Sequence, residues 1–163
     1  MTESQKIAPC LWFDGKAEEA AEFYVSTFRD SHIEHKLASP TDWPAGKAGD
    51  IILVTFVLAG QHYQALNGGP NENGKFNESV SLSVICEDQA EVDRCWEALT
   101  ADDGEPVMCG WLTDKYGLRW QIVPRALTEM MMDNDKVKAR RVMEAMMQMV
   151  KLDIAKLKAA FEG

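Results

Sequence analysis

Two glutamines stand at the ends of matching pentapeptides. Gly60-Gln61-His62-Tyr63-Gln64 and Gly117-Leu118-Arg119-Trp120-Gln121 share a glycine, two variable positions, an aromatic residue and a glutamine, and lie 57 residues apart. In an extended strand, residues two apart share a face. His62 and Gln64 should therefore point one way, as should Arg119 and Gln121, with Tyr63 and Trp120 turned into a core. Two strands upstream add to the set. Cys10 and Trp12 share a face on one, and Ser81 and Ser83 on the other. Together these residues offer two amides, two hydroxyls, an imidazole, a guanidinium, a thiol and an indole. A few polar groups converging on an apolar wall are the usual make-up of a small-molecule site. Arg119 would favour a carboxylate or phosphate on the ligand.

Elements that can hold these residues follow from local pattern. Residues 8–13 and Ile51 to Leu58 read as strands, the second with five β-branched residues. Between them, Ala17, Ala20, Ala21, Tyr24 and Phe28 fall on one face of a helix over Lys16 to Phe28, and a strand follows near His32 to Leu37. Ala59-Gly60 turns the chain into a further strand, Gln61 to Leu66. Residues 39–46 and 67–77 are rich in Gly, Pro, Asn and Asp and read as loops. The pattern then restarts. Ser79 to Cys86 alternates, with Val80, Leu82, Val84 and Cys86 on the apolar side. Asp88 and Glu91 form a capping box ahead of a helix that buries Val92, Cys95, Trp96 and Leu99. Short strands lie around 106–112, Asp114 to Gly117 is a turn, and Leu118 to Val123 is the closing strand.

The expected fold is thus α+β, with two β-α-β-β-β modules (about 6–67 and 79–124) that face each other across a cleft, followed by a helical extension over 125–163. That extension holds seven of the nine methionines. Val142, Met143, Met146, Met147 and Val150 are expected on one apolar face, available as core filler, subunit contact or adaptable groove. Asp153 should cap a last helix with Ile154, Leu157 and Phe161 inward.

Bulk properties exclude several classes. With 26 acids against 17 bases, the net charge of −9 disfavours nucleic-acid binding. No apolar tract is long enough to span a membrane. The polar start, Met1 to Lys6, lacks the apolar core of a secretory signal. The four cysteines, Cys10, Cys86, Cys95 and Cys109, show no C-x-x-C spacing. A cytoplasmic protein with reduced thiols is expected.

The run Leu11-Trp12-Phe13-Asp14-Gly15-Lys16-Ala17-Glu18-Glu19-Ala20 resembles the start of the PhnB-like proteins, also labelled 3-demethylubiquinone-9 3-methyltransferase domain proteins. Asn67-Gly68-Gly69-Pro70, Cys109-Gly110-Trp111-Leu112-Thr113-Asp114 and Gly117-Leu118-Arg119-Trp120-Gln121-Ile122-Val123-Pro124 are similar as well. The resemblance covers nearly the whole chain. It implies the glyoxalase / bleomycin-resistance / extradiol-dioxygenase (vicinal oxygen chelate) superfamily, with paired β-α-β-β-β modules and a homodimer. Metal-dependent members of that superfamily hold a divalent ion with two His and one Glu from equivalent strands. The matching positions here are Ala8, Ser81, Gln64 and Gln121, a set with no imidazole and no carboxylate. No metal is therefore expected, and no cofactor. The glycine-rich strand-to-helix loop of a nucleotide-type cofactor site is also missing, against methyl transfer.

Three functions compete. The first is a small-molecule-binding module without tightly held metal. The second is a metal-dependent isomerase, lyase or dioxygenase of the superfamily. The third is an assembly protein built on the methionine-rich helices.

Overall fold

The computed structural model describes residues 5–72 and 75–163. The expected absence of a leader falls largely on residues 1–4, outside the described residues, as do two positions of the 67–77 loop. The chain divides into two compact units, Met1–Lys75 and Phe76–Gly163.

The first unit runs β1 (Cys10–Phe13), α1 (Ala17–Thr27), β2 (His32–Ala38), β3 (Ile51–Leu58) and β4 (Gln61–Asn67). Its sheet has the order β1-β4-β3-β2, with β1 parallel to β4 and the other pairs antiparallel. One face is covered by α1. Ala17, Ala20, Ala21 and Tyr24 of the helix are fully buried against Leu11, Phe13, Val54, Phe56, Tyr63 and Ala65. Three small alanines let the helix sit close, and Tyr24 then reaches over Phe56, which stacks on Tyr63 at 5.6 Å between ring centroids. The β3–β4 turn has φ +46° at Ala59 and +83° at Gly60. Two positive values in succession mark the hairpin geometry whose twist suits antiparallel strands.

Strand β2 carries a bulge. Ile33 pairs with Phe56 and His35 with Thr55, so Glu34 is an extra residue with no partner of its own. Ile33 lies opposite core-facing Phe56. Without the bulge, His35 would return to that helix-covered side. The extra residue keeps it on the open side beside Glu34. Lys36 resumes the helix side and pairs with Glu22 (2.7 Å) and Glu18 (3.2 Å) of α1.

The second unit repeats the plan with β5 (Ser81–Cys86), α2 (Gln89–Leu99), β6 (Glu105–Pro106), β7 (Trp111–Thr113) and β8 (Arg119–Pro124). Its sheet order, β5-β8-β7-β6 with β5 parallel to β8, matches the first strand for strand. The register matches too. Cys10 pairs with Gln64, and Ser83 pairs with Gln121. Asp88 caps α2 by accepting from Glu91 N–H at 2.8 Å, while the Glu91 carboxylate accepts from Glu87 N–H. Val92, Cys95, Trp96 and Leu99 are all buried, as the periodicity requires. Val80 departs from the expected alternation: it precedes the strand and is 68% exposed.

Three helices complete this unit: α3 (Arg125–Met131), α4 (Lys136–Met146) and α5 (Ile154–Glu162). Leu127, Met130, Val142, Leu152 and Leu157 form their core. Asp153 caps α5 through Lys156 N–H. The expected methionine face is split. Val142 is buried and Met146 packs at the edge, but Met143, Met147 and Val150 are exposed. Helix α4 ends at Met146, so the last two lie beyond the periodic stretch that would have turned them inward.

Candidate functional site

The open face of the first sheet holds a concave space of about 280 Å³ lined by Gln5, Ala8, Glu34, His35, Thr55, His62, Tyr63 and Gln64. Six of these eight positions have a simple origin. His62 and Gln64 are two apart on β4. Thr55 lies directly across from Gln64 on β3. The bulge supplies both Glu34 and His35 from β2. Gln5 closes one edge by accepting from His62 N–H at 3.1 Å and donating to the His62 carbonyl at 3.3 Å.

The polar groups are unevenly satisfied. His62 Nδ1 lies 3.0 Å from Glu34 Oε2. A carboxylate only accepts, so Nδ1 carries the proton and Nε2 of the neutral ring is left with its lone pair. The Thr55 hydroxyl is buried with no hydrogen-bond partner among the described residues, a state buried polar groups seldom keep without a ligand or water. The side-chain amide of Gln64 makes no hydrogen bond among the described residues. Burial raises the Tyr63 phenol above its ordinary pKa, in keeping with its place in the core stack. No lysine or arginine lines this space.

The equivalent residues of the second unit are already engaged. Gln121 Nε2 donates to Ser81 Oγ at 2.9 Å. Arg119 donates to Glu78 through Nε (3.2 Å) and Nη2 (3.0 Å), and to the Gly117 carbonyl (2.9 Å). Its charge is paired, which weakens the case for Arg119 as a free anion anchor. Ser83 is exposed on the same strand face. Trp120 turns inward and donates from Nε1 to Asp114 Oδ2 at 2.8 Å, and Asp114 is 1% exposed.

On β1, Cys10 and Trp12 lie on the exposed side and Leu11 and Phe13 on the buried side. Trp12 is 43% exposed but not loose: its Nε1 donates to the Gly69 carbonyl at 2.8 Å and its ring lies against Gly68, where a Cβ would come within 2.2 Å. The Gly68-Gly69 pair is thus a seat for an indole. Partial desolvation pushes the Cys10 thiol above its ordinary pKa, which disfavours a thiolate nucleophile.

The structure therefore brings His62 and Gln64 together in one pocket and joins Ser81 to Gln121 in the other unit. Glu34, His35 and Thr55 were missed by sequence reasoning. In the run His32-Ile33-Glu34-His35 simple alternation would place Glu34 and His35 on opposite faces, so neighbouring residues give no sign that both reach one space. The positions that the resemblance assigns to metal ligands carry few ligating groups. Ala8 has no ligating atom, Gln64 is neutral, and no group of three His, Cys, Asp or Glu is placed to hold an ion among the described residues.

No helix among the described residues is long and apolar enough to cross a membrane. A family model described as 3-demethylubiquinone-9 3-methyltransferase matches residues 5–123. No curated protein sequence matches significantly. Among solved structures, a putative 3-demethylubiquinone-9 3-methyltransferase, PhnB protein, from Bacillus cereus is 38% identical, covers 74% of this chain and 99% of its own, and superposes with a TM-score of 0.66. Protein PA1353 from Pseudomonas aeruginosa shares the fold at 23% identity and a TM-score of 0.61, over 74% of this chain and 98% of its own. The duplicated β-α-β-β-β plan and these matches agree: the chain belongs to the PhnB-like 3-demethylubiquinone-9 3-methyltransferase family, within the glyoxalase / bleomycin-resistance superfamily.

Proposed function

We propose that the chain binds a small molecule on the open face of its first sheet, without a tightly held metal. The supporting observation is the convergence of Glu34, His35, Thr55, His62 and Gln64 on one space of about 280 Å³. That volume lies just under the roughly 300–1,000 Å³ of typical ligand pockets, so the ligand is metabolite-sized. The absence of Lys and Arg from the lining, and the presence of Glu34, favour an uncharged ligand over an anion. It would accept from the Gln64 amide and the Thr55 hydroxyl.

Methyl transfer, named in the family's description, is poorly supported by this chain. The strand-to-helix junctions Asp14-Gly15-Lys16 and Glu87-Asp88 offer no glycine-rich cradle for a nucleotide-type cofactor. The protein is proposed to work in the cytoplasm as a homodimer. Exposed Met143, Met147 and Val150 offer apolar surface for such contact, and light scattering at micromolar concentration gives the mass directly.

Ligand-observed NMR against a library of small uncharged polar compounds tests the binding function. Ligands that bind the wild type should be lost in Gln64→Ala and in the Gln64→Ala/Gln121→Ala double variant, with the fold intact. Ligands that bind all variants equally would place the site elsewhere. Metal analysis after dialysis completes the test: stoichiometric Zn, Fe, Mn or Ni would overturn the metal-free reading.

A further inference from the structure

The bulge in β2 has one clear chemical effect. It sets Glu34 against Nδ1 of His62 at 3.0 Å while His35 stays on the same face. A histidine merely decorating a strand needs no such partner. A histidine with its Nδ1 proton held by a carboxylate has a fixed tautomer, a fixed ring orientation and a countercharge for its protonated form. Beside it lie the Gln64 amide and the buried Thr55 hydroxyl, neither with a hydrogen-bond partner among the described residues. A proton acceptor next to hydrogen-bond donors is the arrangement that removes a proton and steadies the charge left behind.

Resting on the binding function above, we propose that this pocket is a proton-abstraction site for a small uncharged substrate, with His62 Nε2 as the base and Glu34 as its positioning residue. The balance is simple. The substrate's X–H bond breaks, its electron pair stays on the substrate, and the proton forms a new N–H bond at Nε2. The imidazolium so formed is countered by the Glu34 carboxylate. The developing anion accepts from the Gln64 amide and the Thr55 hydroxyl. On return of the proton the site is restored, so no oxidant, reductant or co-reactant is required.

The probe is 5-nitrobenzisoxazole, a small uncharged carbon acid. Loss of its C–H proton forms the nitrile as the N–O bond breaks, and the phenolate released is coloured. The wild-type protein should open the ring faster than buffer of equal basicity. His62→Ala should bring the rate to background, a loss of about 10²-fold or more for a positioned base. Glu34→Gln keeps an acceptor for Nδ1–H but removes the countercharge, and should cost on the order of tenfold. Nitrogen-15 NMR of the wild-type imidazole gives a readout that needs no variant: His62 should be the Nδ1–H tautomer when neutral.

An Nε2–H tautomer, or equal rates in wild type and His62→Ala, would overturn the proposal. The binding function is read separately, from amide shifts of Thr55 and Gln64 on adding the probe. Shifts without a His62-dependent rate overturn proton transfer and leave binding standing. Neither shifts nor rate overturns both.

Discussion

Gln121 is tied to Ser81 by a 2.9 Å hydrogen bond, whereas Gln64, its counterpart in the first module, has Ala8 at the position matching Ser81. One missing hydroxyl separates a closed polar pair from an open amide. Gln64 is available to a ligand because its module lacks that serine.

Ala8→Ser should rebuild the second module's pair in the first. A net hydrogen bond is worth about 1 kcal/mol, so tying up Gln64 should weaken ligands at this pocket about fivefold. The Gln64 side-chain amide protons should also exchange more slowly with solvent. Exchange and affinity both equal to wild type would refute the assignment.

Thr55→Val should raise stability and lower binding together. Valine keeps the shape of the half-buried side chain and removes a buried hydroxyl that has no partner among the described residues. The gain should be about 1 kcal/mol, read from the urea midpoint. A destabilised variant would show that the hydroxyl is satisfied in solution.

Asp114 should be a stability hub of the second unit. It accepts from Trp120 Nε1, Tyr116 N–H and Leu118 N–H while almost fully buried. Asp114→Ala leaves three donors without that acceptor and should cost about 3 kcal/mol in denaturant unfolding. Asp114→Asn retains one acceptor oxygen and should cost less.

Gly68→Ala should unseat Trp12. The added Cβ would stand 2.2 Å from the indole, and the ring cannot move without breaking its bond to Gly69. A cost of about 1–3 kcal/mol is expected, with a shift of the Trp12 indole N–H signal. An unchanged signal would contradict the seat.

Acid should erode stability through paired surface carboxylates. Arg125 lowers the pKa of Glu87, and Lys151 lowers that of Asp93 with help from Gln89. Glu78 is lowered by its own backbone N–H and by Arg119. Each contribution is present above the ordinary carboxylate range, near pH 4, and is lost as pH falls through the depressed folded value. The loss should shrink in Glu87→Gln and at high salt, as followed by melting temperature between neutral and acid pH.

Much of the fold was legible because it is written in short-range pattern. The matched pentapeptides, the capping box at Asp88 and the buried faces of α1 and α2 depend on residues within a turn or two of each other. The sequence by itself therefore determined the duplicated β-α-β-β-β plan, the inward turn of Tyr63 and Trp120, and the shared face of His62 and Gln64. Only tertiary structure decided which of these residues became a site. A bulge is a disagreement in count between two strands, so neither strand alone reveals that Glu34 meets His62 28 residues away. The orphaned Thr55 hydroxyl, the paired Arg119 and the different fates of Gln64 and Gln121 are likewise properties of what lies opposite. Local periodicity assigns a face, but the partner across the sheet decides whether a polar group on that face is spent or free to act.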